Sequence, residues 1–400
     1  MPLVIGSVLL IMFVLATWHL IMTLEILLNS FFDLFWLRFP PFQRIFFYEL
    51  PPSSAPTPLF FDSILPKLTA SLSLTIQHFL PLAGSLTWPQ TSHKPILNYV
   101  QGDAVSLTIA HDSDDHRADY FDHLSSCNEF VEAIKYHPLV PKLAMSHEKA
   151  AAMALQITLF PSRGFSIGTC MHHAILDGKS SNHGLTSLKP FYGKVITDPA
   201  GLESIYLNHF LNLDRPENRT LISNNNNNNI NRFTFQRFLS RAYAWVCLAK
   251  SKAMEIRSEK IAMIFSIDCM SRLDPPLPAS HFGNCIAGGR VVAETKGLLG
   301  ENGLVLAVNA IREAIKGLDN KGQRIGYFIL TSVAGSNRFQ IYDTDFGWGK
   351  PRRTEVVSID KTGAISLSDS KNGGGGVEIG LVLKKQYMDA FAALFAQGLL

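Results

Sequence analysis

The 400-residue sequence is poor in charged side chains and has no excess of one sign. Charged residues make up 17% of the chain, and 36 Lys and Arg against 33 Asp and Glu give a net charge of +3. An apolar fraction of 47% excludes a disordered chain. The neutral balance, without a basic stripe, excludes nucleic acid as an expected partner. We therefore expect a soluble, intracellular protein with two domains. We also expect a cytoplasmic location and a monomer.

Cysteine pairs are also missing. The chain has no Cys-x-x-Cys motif and no dense, even set of cysteines, which excludes a disulfide framework and the common structural zinc sites. The five cysteines are interpreted as buried thiols in a reducing compartment, and no metal is expected: Cys127, Cys170, Cys247, Cys269 and Cys285.

Charge is absent from Pro2 to Leu24, a stretch of mostly Leu, Ile, Val, Met and Phe. Its length fits a membrane-spanning helix, which needs about 20 apolar residues. It has no basic start and no clear cleavage site, so a cleaved signal peptide fits poorly. Residues 1–28 therefore have two interpretations. They are either a membrane anchor that leaves the rest of the chain in the cytoplasm, or an atypical hydrophobic leader on a cytoplasmic protein.

An asparagine tract divides the remaining chain. Six consecutive asparagines at 224–229 lie in a segment rich in Asn, Asp and Pro, which predicts a flexible crossover linker over 206–232. It separates an N-terminal domain, 29–205, from a C-terminal domain, 233–400. Both mix helical and strand patterns, so we predict an α/β or α+β fold. The clearest elements are a helix at 65–80 and a hairpin at 155–171.

The pattern His-x-x-x-Asp occurs twice, at His111 and at His173. Chance can supply such a pattern, so its surroundings decide its meaning. His111 lies in a polar, acidic stretch that predicts a solvated loop. His173 ends an alternating strand in apolar surroundings, where an imidazole can keep a near-neutral pKa and remove a proton from a substrate hydroxyl. The alternative is a core histidine that hydrogen-bonds to the backbone.

Other catalytic interpretations of the His173 segment fail. Gly178-Lys179-Ser180 is similar to the end of a phosphate-binding loop, but His173 occupies the position of the required glycine. No third ligand stands at a metal-site spacing, so a metal site at His173 is not expected.

A second marked segment runs from Asp345 through Trp348 to Gly349. Its glycines permit a tight backbone path, and the Trp348 indole can donate a hydrogen bond into a pocket. The alternative is an ordinary aromatic turn packed on the core.

These two segments together resemble the paired signatures of the plant BAHD acyltransferases. The first is His173-Ala-Ile-Leu-Asp177-Gly178, and the second is Asp345-Phe346-Gly347-Trp348-Gly349. In addition, His281-Phe282-Gly283-Asn284-Cys285 is similar to the Tyr-Phe-Gly-Asn-Cys motif of the branch that acylates the sugars of anthocyanins and other phenolic glycosides. The stretch from Val333-Ala-Gly-Ser336 through Val377-Glu378 to Leu383-Lys384-Lys385 most resembles phenolic glucoside malonyltransferases. The resemblance covers about residues 30–400.

The resemblance implies a chloramphenicol acetyltransferase-like fold of two similar domains with a channel between them. It implies an acyl-CoA cosubstrate, malonyl-CoA before others, a phenolic or flavonoid glucoside as acceptor, and no bound cofactor.

The resemblance also implies roles for particular residues. His173 would be the general base without an acyl-enzyme, and Trp348 would help the oxyanion unless its loop is mainly structural. Asp177 would pair with Arg272. The remaining motif residues would be structural: Gly178, Asp345, Phe346, Gly347 and Gly349. The substrates would contact Phe282, Gly283, Asn284, Ser336 and Lys179.

The chain departs from the family pattern at several places. The hydrophobic leader replaces the usual first strand and Pro-rich loop, and the segments near 222–231 and 318–332 look shortened. Three alternatives stay open: an aromatic acyl-CoA donor, a carrier-bound thioester as in condensation domains, or a binding protein without catalysis.

Overall fold

The computed structural model describes most of the chain outside the linker region. The described residues are 5–14, 23–27, 36–50, 56–88, 95–112, 118–126, 130–161, 163–181, 232–272, 283–316, 328–345, 348–373 and 375–398. They form two compact units. The first takes the described parts of Met1–Arg219, Pro278–Asn284 and Phe339–Ser358, and the second takes those of Thr220–Leu277, Cys285–Arg338 and Ile359–Leu400.

The first unit is built on a six-stranded mixed sheet. Its strands are β1 (Ile5–Val14), β6 (Ala104–Asp112), β8 (Met153–Phe160), β9 (Gly164–Met171), β3 (Phe42–Glu49) and β13 (Arg353–Val356), in that spatial order. β8 and β9 pair antiparallel from Met153 opposite Met171 to Phe160 opposite Gly164, which confirms the predicted hairpin. All residues of both strands are buried, because β9 lies inside the sheet and both of its faces are covered.

A smaller four-stranded sheet completes the strands of this unit. Its order is β2 (Thr23–Leu27), β5 (Ile96–Val100), β4 (Ser85–Thr87) and β7 (Lys149–Ala151). The helices are α1 (Pro56–Leu59), a π turn at Phe60–Ile64, α2 (Leu65–His78) and α3 (Ala118–Ser125). α2 confirms the predicted helix. Leu68, Leu72 and Ile76 on one face are buried, because the apolar positions recur at helical spacing.

The second unit surrounds a five-stranded sheet. Its order is β11 (Ile286–Glu294), β10 (Lys260–Asp268), β12 (Phe328–Gly335), β14 (Ile365–Asp369) and β15 (Val377–Gly380). Its helices are α4 (Arg232–Ser251), α5 (Thr295–Leu299), α6 (Gly303–Lys316), α7 (Ile359–Thr362) and α8 (Lys385–Gln397). Trp245 of α4 is fully buried in the core, and the Tyr243 hydroxyl donates to the backbone oxygen of Leu394 in α8 at 2.9 Å.

The hydrophobic leader is not a helix where the structure describes it. Ile5–Val14 and Thr23–Leu27 are strands, and β1 pairs antiparallel with β6 along its length. The expectation of a helical span is therefore wrong for these residues, while membrane contact and localisation stay predictions. Among the described residues, one helical stretch, Thr57–Gln77, is long and apolar enough to cross a membrane.

The domain division predicted from the sequence differs from the two units in one respect. Residues 278–284 and 339–358 come from the second half of the chain but group with the first unit. The reason is strand pairing, since β13 runs antiparallel to β3 with Arg353 opposite Phe47. The asparagine tract lies outside the described residues, so the linker stays a prediction.

Two smaller predictions can also be compared with the structure. The described cysteines, Cys170, Cys247, Cys269 and Cys285, are buried free thiols as expected. His111 does not lie in a loop. It is the second-last residue of β6, half-buried and opposite Leu159 of β8, because the strand continues further than the acidic sequence suggests.

Candidate active site

Two adjacent histidines follow the end of β9 and have different surroundings. The His172 backbone N–H donates to the Ala152 carbonyl at 2.9 Å, and its Nδ1 accepts the Ala174 N–H at 3.2 Å. Its side chain is only 2% exposed, and this burial lowers the pKa of His172 to about 4. His172 is thus a neutral imidazole that stabilises the turn.

His173 is half-buried in the turn after the strand. Its Nδ1 is buried and makes no hydrogen bond to the described part of the chain. Burial is the main cause that lowers the pKa of His173 to about 4, and neighbouring His172 adds to it, while its own backbone carbonyl acts in the opposite direction. Near pH 7 the ring is therefore neutral and keeps a lone pair, which a general base requires.

Three aromatic rings surround the His173 imidazole, and we call them the aromatic cage. Trp36 stacks on it with ring centroids 4.0 Å apart and planes 9° apart. The Phe39 and Phe42 centroids lie at 6.3 and 6.5 Å, tilted and edge-on. Phe42 reaches the ring because it opens β3 directly opposite Met171, the last residue of β9. The cage shields the imidazole from water and limits its rotation.

Asp177 begins a helical turn and holds its first residues. Its Oδ1 accepts the Ser180 N–H at 2.8 Å, and its carbonyl accepts the Ser181 N–H at 2.9 Å. This is an N-cap contact, and the side chain is only 4% exposed. The structural role expected for Asp177 therefore has a local cause. Arg272 belongs to the second unit, and its pairing with Asp177 stays a prediction.

Position 178 favours glycine because the ring of Phe339 lies very close to its backbone. A Cβ at this position would lie 2.8 Å from a ring carbon of Phe339, which is closer than real Cβ contacts. The glycine of the motif thus lets the helical turn pack beside the segment that returns from the second half of the chain.

Gly283 and Asn284 contact the histidine turn. The Ser180 hydroxyl exchanges two hydrogen bonds with the backbone of Gly283, and the Asn284 side-chain amide donates to the His173 carbonyl at 3.0 Å. Asn284 is 3% exposed. The described contacts of these two residues join them to the turn that carries His173, and their contact with substrate stays a prediction.

The segment around Trp348 lies at the other end of β9. The Trp348 indole packs edge-on against Phe165, with centroids 6.0 Å apart at 88°. Phe165 precedes Met171 by six residues, which places it roughly 20 Å from the histidine end at the rise of a strand. Trp348 is therefore too distant from His173 to stabilise an oxyanion beside it, and this expectation is corrected.

The described residues of this segment make the contacts of a turn. Asp345 accepts the Gly349 N–H at 2.9 Å, and Gly349 has a φ of 95°, which favours glycine. Nearby, the buried Tyr48 hydroxyl donates to the Thr344 carbonyl at 3.0 Å. The structural alternative given above for this segment is thus the one that the contacts support. Phe346 and Gly347 lie outside the described residues.

The other predicted substrate contacts are dispersed. Lys179 is half-buried in the helical turn after Asp177. Ser336 follows β12 in the second unit, where its hydroxyl accepts the Arg338 N–H at 3.2 Å. Phe282 lies outside the described residues.

Sequence reasoning missed the aromatic cage and Ser180. Trp36 ends an aromatic run, Phe31-Phe32-Asp33-Leu34-Phe35-Trp36, and that run was the available signal. Its partner His173 lies 137 positions later, and no local pattern links the two.

The fold matches those of solved structures. The crystal structure of vinorine synthase matches with a TM-score of 0.68 over 96% of both chains, at 20% identity. The apo structure of F. graminearum TRI101 matches with a TM-score of 0.66, at 13% identity, over 94% of this chain and 99% of that one. These likenesses show that the chain shares its mixed α/β fold with both structures.

Sequence comparison then identifies the family. A family model described as the transferase family matches residues 31–193 and 217–397. Three Arabidopsis thaliana proteins are each 34% identical over 92% of this chain: phenolic glucoside malonyltransferase 1, malonyl-CoA:anthocyanidin 5-O-glucoside-6''-O-malonyltransferase and agmatine coumaroyltransferase, covered over 92%, 94% and 93% of their lengths. The chain belongs to this transferase family, the BAHD acyltransferases.

Proposed function

We propose that the protein transfers a malonyl group from malonyl-CoA to a sugar hydroxyl of a phenolic or flavonoid glucoside, with His173 as the general base. The observation that carries the proposal is the state of His173. It is a neutral imidazole two residues beyond the end of β9, with Nδ1 buried and the aromatic cage around the ring.

In the proposed reaction His173 first takes a proton from the sugar hydroxyl and later gives it to the coenzyme A sulfur. As the sugar oxygen attacks the thioester carbonyl, its proton passes to Nε2 of His173, because Nδ1 is buried. A C–O bond forms and the carbonyl becomes a tetrahedral oxyanion. When the intermediate collapses, the C–S bond breaks and the coenzyme A sulfur takes the proton from the imidazolium. His173 ends neutral, and no acyl-enzyme forms.

The relatives support the choice of substrates. Two of them are named for malonyl transfer, and one of these also for malonyl-CoA. Their names also give a phenolic glucoside and an anthocyanidin glucoside as acceptors. Lys179 supplies a cation six residues after His173, and we assign it to the carboxylate of the malonyl group.

A second donor class has an observation in its favour. A coumaroyltransferase is as similar to this chain as the malonyltransferases, at 34% identity. A bulky aromatic acyl-CoA on the same fold is therefore the second candidate, and Lys179 distinguishes the two. Lys179→Met should weaken malonyl-CoA use and leave coumaroyl-CoA use unchanged.

The test is thiol release from malonyl-CoA by the full chain with a panel of phenolic glucosides. We compare the wild type with His173→Ala and with His111→Ala, which changes the other His-x-x-x-Asp match. Release that depends on the glucoside, persists in His111→Ala and is lost in His173→Ala supports the proposal. Faster turnover with coumaroyl-CoA would replace the malonyl assignment.

The absence of an acyl-enzyme has its own measurement. Intact mass after incubation with malonyl-CoA, without an acceptor, should stay that of the free chain. A mass increase of one malonyl group that an added glucoside removes would overturn direct transfer.

A further inference from the structure

The segment Gly283-Asn284 meets the turn of His173 at two points within the first unit. The first point is Ser180, whose Oγ donates to the Gly283 carbonyl at 2.9 Å and accepts the Gly283 N–H at 3.0 Å. A serine hydroxyl can donate and accept at once, so both hydrogen bonds form together. Ser180 is 3% exposed, and the two bonds are made away from solvent.

The second point is Asn284. Its Nδ2 donates to the carbonyl oxygen of His173 at 3.0 Å. A carbonyl only accepts, so the side-chain nitrogen is the donor in this contact. This hydrogen bond fixes the backbone of the residue that carries the imidazole. The same carbonyl oxygen favours the protonated ring and so acts to raise the pKa of His173.

Position 283, whose backbone makes the first contact, needs a glycine. Gly283 has a φ of 144°, which side chains rarely tolerate, and the hydroxyl of Ser180 bonds to its nitrogen and its oxygen. Ser180 is in turn tied to the cap residue, since its N–H donates to Asp177 Oδ1 at 2.8 Å. Hydrogen bonds therefore connect Asp177, Ser180, Gly283 and, one residue on, Asn284 and the backbone of His173.

We infer that Ser180, Gly283 and Asn284 form a clamp that positions the His173 imidazole for proton transfer, and that this segment is not a substrate-binding motif. This inference rests on the proposed role of His173 as base. Ser180 and Asn284 are positioning residues, because they act through the backbone of His173 and not on the reacting atoms.

Ser181 offers a matched control in the same helical turn. It is also 3% exposed, but within the described part of the chain its hydroxyl donates to the nearby Gly178 carbonyl, at 3.0 Å. Ser180→Ala and Ser181→Ala each remove one buried hydroxyl, and only the first opens the clamp. Asn284→Ala opens it from the other side.

The kinetic test measures kcat and KM for the full chain with the wild type and these three variants. Ser180→Ala and Asn284→Ala should lower kcat about tenfold or more, since a misplacement of about 1 Å can cost roughly a hundredfold. KM for both substrates should stay within about twofold, and Ser181→Ala should match the wild type. A rise in KM with unchanged kcat in Ser180→Ala or Asn284→Ala would show that the segment binds substrate and would overturn the inference.

A second readout does not depend on acyl transfer. NMR titration of the labelled His173 imidazole, assigned with His173→Gln, should show its pKa rising toward the ordinary value in Ser180→Ala and Asn284→Ala. The Ser181→Ala titration should match the wild type. Unchanged titration in both clamp variants would overturn the clamp even if the protein proves to use other substrates. If one clamp variant fails to fold, the other carries the test.

Discussion

Trp36 lies flat against His173, with ring centroids 4.0 Å apart and planes 9° apart. Trp36 is 7% exposed, so the stacked face of the imidazole is closed to water. The indole thus contributes to the low pKa of His173 by removing solvent and to its orientation by direct contact.

Replacing Trp36 should therefore change both the pKa and the orientation of the His173 imidazole. In Trp36→Ala, water reaches the ring, and the acid limb of kcat/KM should move from near pH 4 toward pH 6.5. An aromatic pair contributes about 0.5 to 1.5 kcal/mol, so we expect up to roughly a tenfold loss of kcat at neutral pH. Trp36→Phe, which keeps a ring, should retain most activity. An unmoved acid limb in Trp36→Ala would contradict this account.

The two histidines also predict how stability depends on pH. Their folded pKa values of about 4 lie below the ordinary value of 6.5, so the unfolded chain binds protons more readily than the folded one. Their contribution to the free energy of unfolding is complete above pH 6.5 and is lost as the pH falls toward 4. Urea unfolding between pH 7 and pH 4 measures the slope of the free energy of unfolding against pH. His173→Gln should reduce this slope. An identical slope in the variant would argue against burial of His173 as its cause.

Trp348 should matter for stability and little for the chemical step. Trp348→Leu removes the contact with Phe165 and should lower the melting temperature, while kcat of the folded enzyme stays within about threefold. An oxyanion donor, in contrast, contributes about a hundredfold to a thousandfold in kcat. A loss of that size at an unchanged melting temperature would restore the catalytic role that the geometry argues against.

Asp177 distinguishes a helix cap from an ion pair. Asp177→Asn keeps an oxygen that can accept the Ser180 N–H and should stay close to the wild type in stability. Asp177→Ala should cost about 1 to 2 kcal/mol in the free energy of unfolding, because the cap is lost. If Asp177 acts as a cap, Arg272→Gln should have only a small effect on the free energy of unfolding. Equal destabilisation by Asp177→Asn and Asp177→Ala would instead show that the charge, and hence a cation such as Arg272, is what Asp177 supplies.

Local patterns predicted the elements that local forces form. The hairpin of β8 and β9 follows from alternating residues around a turn, and α2 follows from apolar residues at helical spacing. A continuous apolar run such as that of the leader fits a spanning helix and a strand alike, so the sequence alone leaves its structure open. Only pairing with β6 decides between them, and that partner lies about a hundred residues away.

The prediction of the site also succeeded for local features and failed for contacts between residues distant in sequence. His173 was identified from its strand end and apolar neighbours, which are local features. The partners that define its chemistry are distant in sequence: Trp36 precedes it by 137 residues, and Asn284 follows it by 111. Motif spacing also could not show that Trp348 and His173 lie at opposite ends of one strand.

The pairing of β13 with β3 has a consequence for synthesis on the ribosome. Glu49, the last residue of β3, and Arg352, directly before β13, form an ion pair across 303 residues of sequence. At about 5 to 20 residues per second, roughly 15 to 60 s separate the emergence of these two partners. During that interval the edge of β3 that β13 will cover has no native neighbour, although Ile45, Phe46 and Phe47 of this strand are fully buried in the finished protein. We therefore expect this sheet to complete its folding only after residues 339–358 have emerged.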